Sequence, residues 1–156
     1  AIEEVRIDDR LIHGQVVASW LRVFPTVSNI LVVDDAAAND PFMQEMFKLL
    51  VPSDISIEIH TIESAIELFK AGFGKPTFMI VKGPQTIKAL IDGGATIKHI
   101  NIGGMGMNRE RKKLFQNISA SDEEKDIFRE LINRGIKVEI QIIPASKIVN
   151  VGTLIK

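Results

Sequence analysis

Short apolar runs alternate along this chain with stretches whose apolar residues recur at every third or fourth position. The runs at residues 5–8, 30–34, 56–60, 78–82, 99–102 and 138–143 have strand length. Between them, Val16/Val17, Trp20/Leu21 and Phe24 fall on one helical stripe, and Phe42/Met43, Met46/Phe47 and Leu50 on a second. Ile62, Ala65/Ile66 and Phe69 form a third; Ile87 with Leu90/Ile91 and Ile127/Phe128 with Leu131/Ile132 form two more. Strands that are apolar on both faces and joined through helices predict parallel pairing between helical layers. The expected fold is a single α/β domain over residues 1–156, three layers deep (α/β/α), with a mostly parallel central sheet.

The punctuation agrees with that alternation. Asp40-Pro41 and Gly83-Pro84 put proline in a first helical turn, where its missing N–H is not needed. Ser121 with Glu124 three residues later fits a capping box, and Gly72, Gly94 and Gly135 follow helical stripes, where a left-handed closing residue is favoured. No internal repeat, low-complexity stretch or linker interrupts the pattern. Residues 105–121 fit it poorly: a basic run at 109–113 leads into Leu114-Phe115-Gln116-Asn117-Ile118, a candidate short strand.

Composition removes several classes of function. At 156 residues the chain can bury a sizeable core, and 46% hydrophobic with 25% charged residues is a globular balance, not a disordered one. Lys and Arg total 19 against 20 for Asp and Glu, so no global field selects nucleic acid or an anionic membrane, and any phosphate recognition must be local. Without cysteine there are no disulfides, thiolate metal sites or cysteine nucleophiles, which fits a reducing compartment. No apolar run has membrane-span length and the start lacks a signal-peptide pattern, so a soluble cytoplasmic protein is expected, brought to a membrane only by a partner.

In open parallel sheets, ligands gather beyond the carboxyl ends of the strands, where the strand order reverses. Asp8/Asp9 with the loop that follows, Asp34/Asp35, His60/Thr61, Lys82/Gly83 and Gly103/Gly104 all fall at such ends. The densest chemistry lies in Arg6-Ile7-Asp8-Asp9-Arg10-Leu11-Ile12-His13-Gly14-Gln15-Val16. Here a strand leads through two carboxylates and an arginine to a histidine and a glycine where a helix should start, which outlines a phosphate site. The first-turn N–H groups of Gly14, Gln15 and Val16 and the positive helix end suit an anion, Arg10 can fork onto its oxygens, and the His13 imidazole can accept a phosphoryl group. The plainer readings are a solvated His13 and an Arg10 paired with Asp9. Of the two carboxylates, Asp9 is the preferred loop organiser. At least one of them must be neutralised, because two would repel an incoming phosphoryl group.

This string resembles the signature of the IIB component of the mannose/fructose/sorbose family of the bacterial sugar phosphotransferase system, matching Asp8 to Gln15 without interruption. Further agreement runs through Val33-Asp34-Asp35 with Ala38-Asn39-Asp40, Val81-Lys82 with Pro84, Asn101-Ile102-Gly103-Gly104-Met105, and Glu139-Ile140-Gln141 with Pro144. The resemblance implies a phosphocarrier: His13 takes phosphate, on Nδ1, from a histidine of a IIA component and passes it to a sugar presented by membrane IIC/IID components. It implies no metal and no dissociable cofactor beyond the covalent phosphohistidine, a cytoplasmic chain held at the membrane through IIC/IID, and an open, fairly flat surface around His13. It also sets Asp34, Asp35, Lys82, Gly104 and Met105 at the rim of the site, with Met105 as an apolar wall.

Two other classes compete. Asp34-Asp35 with Lys82 suggest a receiver-like aspartyl-phosphate switch, but the strand that should carry the acceptor aspartate ends in His60-Thr61. A small-molecule binding module at the strand ends would show no phosphoryl transfer. Gly103-Gly104-Met105-Gly106-Met107 lacks the ending of a Walker loop and reads mainly as a sharp turn after a strand, with anion cradling as the alternative. Residues 109–113 read as a solvated charged face, or as a basic patch steering an acidic IIA surface. His60 and His99 read as structural, and Trp20 as core.

Overall fold

A computed structural model describes residues 1–155 and shows why the pattern alternates. The first half contains β1 (Ile2–Asp8), α1 (Gly14–Val23), β2 (Asn29–Val33), α2 (Asp35–Ala38), α3 (Pro41–Leu50), β3 (Ser56–His60), α4 (Ile62–Ala71) and β4 (Thr77–Val81). The second half contains α5 (Pro84–Asp92), β5 (His99–Gly104), β6 (Lys112–Phe115), β7 (Ile118–Ala120), α6 (Asp122–Asn133), β8 (Lys137–Ile140) and β9 (Val149–Asn150). Among the described residues, seven strands form one sheet in the order β3-β2-β4-β1-β5-β8-β9, parallel throughout except for the antiparallel edge strand β9.

Successive residues of the central strands feed opposite faces, so these strands are apolar without alternation. Val17 and Trp20 of α1, Ala37 of α2 and Phe47 of α3 pack with Ile30, Val32, Phe78 and Ile80 on one face. On the other, Ala65, Ile87, Leu90, Phe128 and Leu131 from α4, α5 and α6 cover Ile7, Leu31, Val33, Met79, Val81 and Ile102.

The helix boundaries follow the expected chemistry. The Asp40 carboxylate accepts the Met43 N–H ahead of Pro41, and Ser121 and Glu124 exchange both bonds of a capping box. Such caps contribute ~1 kcal/mol each. Gly72, Gly94 and Gly135 close their helices at φ +87°, +106° and +88°.

Three segments depart from expectation. The run at 138–143 stays a strand only to Ile140, because the Gln141 side chain folds onto the Pro144 and Ser146 carbonyls. Residues 105–121 hold a β6–β7 hairpin whose second strand bridges Met105 in parallel, with Ser119 N–H donating to the Met105 carbonyl at 2.8 Å. α2, four residues long, is too short to show a period in sequence.

Topology selects the place for chemistry. β1 lies between β4 and β5, and the connection leaving β1 crosses one face through α1 while the connection leaving β4 crosses the other through α5. Adjacent strands whose connections diverge leave a crevice at their carboxyl ends. Asp8, Asp9 and the following loop stand there, facing Lys82 and Gly83.

Candidate functional site at the carboxyl end of β1

The loop between β1 and α1 is anchored by apolar side chains and aimed by backbone geometry. Leu11 and Ile12 are 2% and 4% exposed, sunk in the core beneath α1. Leu11 adopts φ +58°, a left-handed conformation that a leucine takes only where its surroundings impose it. That turn, closed by Leu11 N–H on the Asp8 carbonyl at 2.9 Å, buries two side chains and leaves the next one outside. The next one is His13, exposed and extended (φ −132°, ψ 109°) at the N-cap of α1. Its carbonyl accepts the Val17 N–H, while no side chain caps the first turn, so the N–H groups of Gly14, Gln15 and Val16 face outward beside the imidazole. Such an arrangement can seat an anion next to an imidazole.

The two carboxylates divide their tasks. Asp8 is buried and takes a two-pronged bond from Arg10 (Nε to Oδ1 3.0 Å, Nη2 to Oδ2 2.9 Å) and the Arg10 backbone N–H at 3.0 Å. Arg10 thus pairs with Asp8, not Asp9, because the turn points the Asp8 side chain back over its own loop. The hydrogen bond that Arg10 donates to Asp8 raises the Arg10 pKa, and the guanidinium, 46% exposed, keeps its outer N–H groups for a ligand. Asp9, the expected organiser, reaches out of the loop instead. Its carboxylate accepts the Gly106 N–H at 2.7 Å and an Arg111 N–H at 3.3 Å, and its own N–H donates to the Gly104 carbonyl. Each carboxylate therefore has a cation.

Beneath them lies Arg6, which sequence reasoning passed over. It is 2% exposed, stands 4.0 Å from Asp8, donates to the Gln141 and Ile142 carbonyls, and stacks 4.9 Å from the centre of the Trp20 ring. Burial lowers its pKa to about 10, against the opposing pull of Asp8. Arg6 also explains the glycine pair. A Cβ on Gly103 would lie 1.8 Å from the Arg6 guanidinium, and one on Gly104 would lie 2.6 Å from Asp8 Oδ1. Gly103 and Gly104 are the last residues of β5, so they make room for two side chains and form no turn.

The expected rim is only partly assembled. Lys82 is half-exposed and 3.9 Å from Asp34, whose carboxylate caps α2 through the Ala37 N–H. Asp35 accepts the Ile62 N–H at the start of α4, so both carboxylates are engaged in holding helix starts. Met105 is fully buried against Ile118 and cannot wall an exposed site, because the hairpin folds over it. Within the basic run, Arg109, Lys112 and Lys113 are exposed as expected, but Arg111 is turned inward onto Glu124 and Asp9. A polar cavity of about 450 Å³, bordered by Asp9, Lys82, Gly83, Asn108, Arg111 and Glu124, occupies the crevice between β1 and β4. On the other flank an apolar row on α3, Phe42, Met46, Leu49 and Leu50, is exposed and continues to Gly14, where a methyl would stand 3.6 Å from Leu50.

The model of the PTS system sorbose subfamily IIB component matches residues 2–156. The chain belongs to that family. Its members carry phosphoryl groups in sugar import by the phosphotransferase system, and this IIB component is accordingly a transferase. It is 32% identical over 144 residues to the N-acetylgalactosamine-specific phosphotransferase enzyme IIB component 1 of Escherichia coli, covering 91% of this chain and 90% of that one. Among solved structures it superposes on manxB from Thermoanaerobacter tengcongensis with TM-score 0.91 at 33% identity, over 98% of this chain and 93% of that one. The IIBSor domain of the sorbose permease from Klebsiella pneumoniae gives TM-score 0.90 at 27% identity, over 96% and 93%.

Proposed function

We propose that His13 is the phosphoacceptor of this IIB component, receiving phosphate from a phosphohistidine of a IIA component and delivering it to a sugar held by membrane IIC/IID components. The observation that carries the reading is the exposed His13 ring at the uncapped start of α1, on the loop that also carries the half-exposed Arg10 guanidinium. A ring nitrogen lone pair attacks phosphorus, the donor's P–N bond breaks, and the donor ring keeps the electron pair. In the second step a sugar hydroxyl oxygen attacks, the His13–phosphorus bond breaks, and the hydroxyl proton is released to solvent. Both steps need in-line placement and donors on the equatorial oxygens. The Gly14, Gln15 and Val16 N–H groups and the outer face of Arg10 supply those donors.

Two partners exchange phosphate with one ring only by docking in turn, and the surface around His13 favours that. The ring projects, and the apolar row on α3 beside it gives a partner a surface to desolvate. The reading requires no metal or dissociable cofactor. It places the chain in the cytoplasm, held at the membrane by its partners; no helix among the described residues is long and apolar enough to cross a membrane. The residues at the site handle phosphate alone, and relatives of comparable identity are named for N-acetylgalactosamine and for sorbose, so sugar choice rests with the membrane components. The test is mass spectrometry after incubation with phosphoenolpyruvate, the general relay proteins and IIA. One acid-labile phosphate is expected on the wild type and none on His13→Ala, and undiminished labelling of that variant rejects the reading.

A further inference from the structure

Arg111 lies far from His13 in sequence, yet its guanidinium joins three segments that converge on the phosphate loop. Nε and Nη2 clasp the buried Glu124 carboxylate at 2.8 and 2.9 Å, while Nη1 donates to the Gly106 carbonyl at 2.9 Å and to Asp9 Oδ2 at 3.3 Å. Glu124 is in turn fixed at the start of α6 by the Ser121 N–H and accepts an amide N–H from Gln85 at the start of α5. Burial pushes the Glu124 carboxyl up, but the Arg111 and Ser121 hydrogen bonds outweigh it and leave the group ionised more readily than usual. The Arg111 side chain is only 12% exposed. A guanidinium held on both prongs by a carboxylate that is itself anchored at two helix starts is a rigid post. What it steadies is Asp9, the residue from which the His13 loop departs.

Resting on the phosphoacceptor reading above, we infer that Arg111 is a positioning residue for phosphoryl transfer: it holds the Asp9 carboxylate and the Gly106 loop together and neutralises the Asp9 charge. Without it, the Asp9 carboxylate keeps a single N–H partner and no cation, and the origin of the His13 loop loosens. Misplacement alone by ~1 Å can lower such a rate about 100-fold. The effect falls on the transfer step and not on partner binding, because Arg111 is turned inward.

The experiment is single-turnover transfer from phosphorylated IIA, with KM for IIA measured in parallel, on the wild type, Arg111→Gln, Arg111→Lys, Asp9→Asn and the Asp9→Asn/Arg111→Gln double variant. Arg111→Gln should slow transfer at least about 10-fold with KM within about twofold. Arg111→Lys should recover part of the rate, and the double variant should be no slower than the worse single one. Should Arg111→Gln unfold because Glu124 is left bare, Arg111→Gln/Glu124→Gln carries the same comparison without an unpaired buried charge. Transfer at wild-type rate in the folded Arg111 variants, or a change confined to KM, overturns the inference. Absence of label on the wild type would instead sink the phosphoacceptor reading itself.

Discussion

Two histidines at opposite ends of the same sheet have opposite fates. His13, beyond the carboxyl end of β1, is exposed, and its ring makes no capping bond to the helix it starts. His99, at the start of β5, is gripped at both nitrogens: Nδ1 by Glu4 at 2.9 Å and Nε2 by Glu139 at 2.7 Å. Glu4 and Glu139 stand on the strands flanking β5, and Lys137 approaches Glu139 at 3.7 Å. The hydrogen bond to Glu4 leads in raising the His99 pKa, against partial burial. A ring with both nitrogens engaged by carboxylates has no lone pair to offer a phosphoryl group. The same side chain is thus cross-brace in one place and, under the proposed function, phosphoacceptor in the other, and its neighbours decide which.

Exchanging the two rings tests this contrast most severely. His13→Gln should abolish phosphoryl transfer while urea denaturation stays within about 0.5 kcal/mol of the wild type, as for other exposed sites. His99→Gln should transfer phosphate normally yet lose about 1–3 kcal/mol of stability, because the buried Glu4 is left with a poorer partner. Loss of transfer in His99→Gln with His13→Gln active would reverse the assignment.

Next in size is Arg10. Arg10→Ala should slow transfer about 100-fold, the usual cost of removing one preorganised donor, with Arg10→Lys between, since an ammonium cannot hold Asp8 by two prongs and still face a phosphate. Equal rates in all three proteins would leave Arg10 as an ion-pair partner of Asp8 and nothing more. A smaller effect belongs beneath the site. Gly103→Ala pushes a methyl into the Arg6 guanidinium, which its Cβ would meet at 1.8 Å, and should destabilise by about 1–3 kcal/mol, whereas Gly106→Ala, 3.5 Å from Asp9, should be near neutral. Thermal melts of the two variants give the comparison directly.

The mildest test is pH. Folding favours the charged His99, so its contribution is complete below the unfolded-state pKa of ~6.5 and disappears as pH rises through the elevated folded-state value. Wild-type stability measured against His99→Gln should therefore shrink as pH rises above about 6.5. A difference that stays constant or grows over that interval would show that the clasp does not depend on charge.

The strand runs and helical stripes were legible because each depends on residues within one or two turns of each other, and the edges moved by only a few positions. The helix start at Gly14 was legible for the same reason, whereas the pairing of Arg10 with Asp8 and the outward reach of Asp9 were not, because the turn at Leu11 sets them. The glycine pair was readable as glycine but not as a vacancy for Arg6 and Asp8, since nothing local announces which side chains cross from the next strand. Met105 and Arg111 were misjudged because the hairpin that covers one and turns the other inward leaves only a weak apolar signature.

Hydrophobic period and turn residues thus follow from neighbours along the chain, and they suffice for the layered fold and for the helix start at which His13 stands. The bonds of Arg6 to carbonyls 135 and 136 residues away, of Arg111 to Asp9 across 102, and of His99 to Glu4 across 95 exist only once strand order and register have been set. Polar partners at such separations are chosen by geometry that no local pattern encodes, and for that reason the folded chain alone specifies how the loop between β1 and α1 is held.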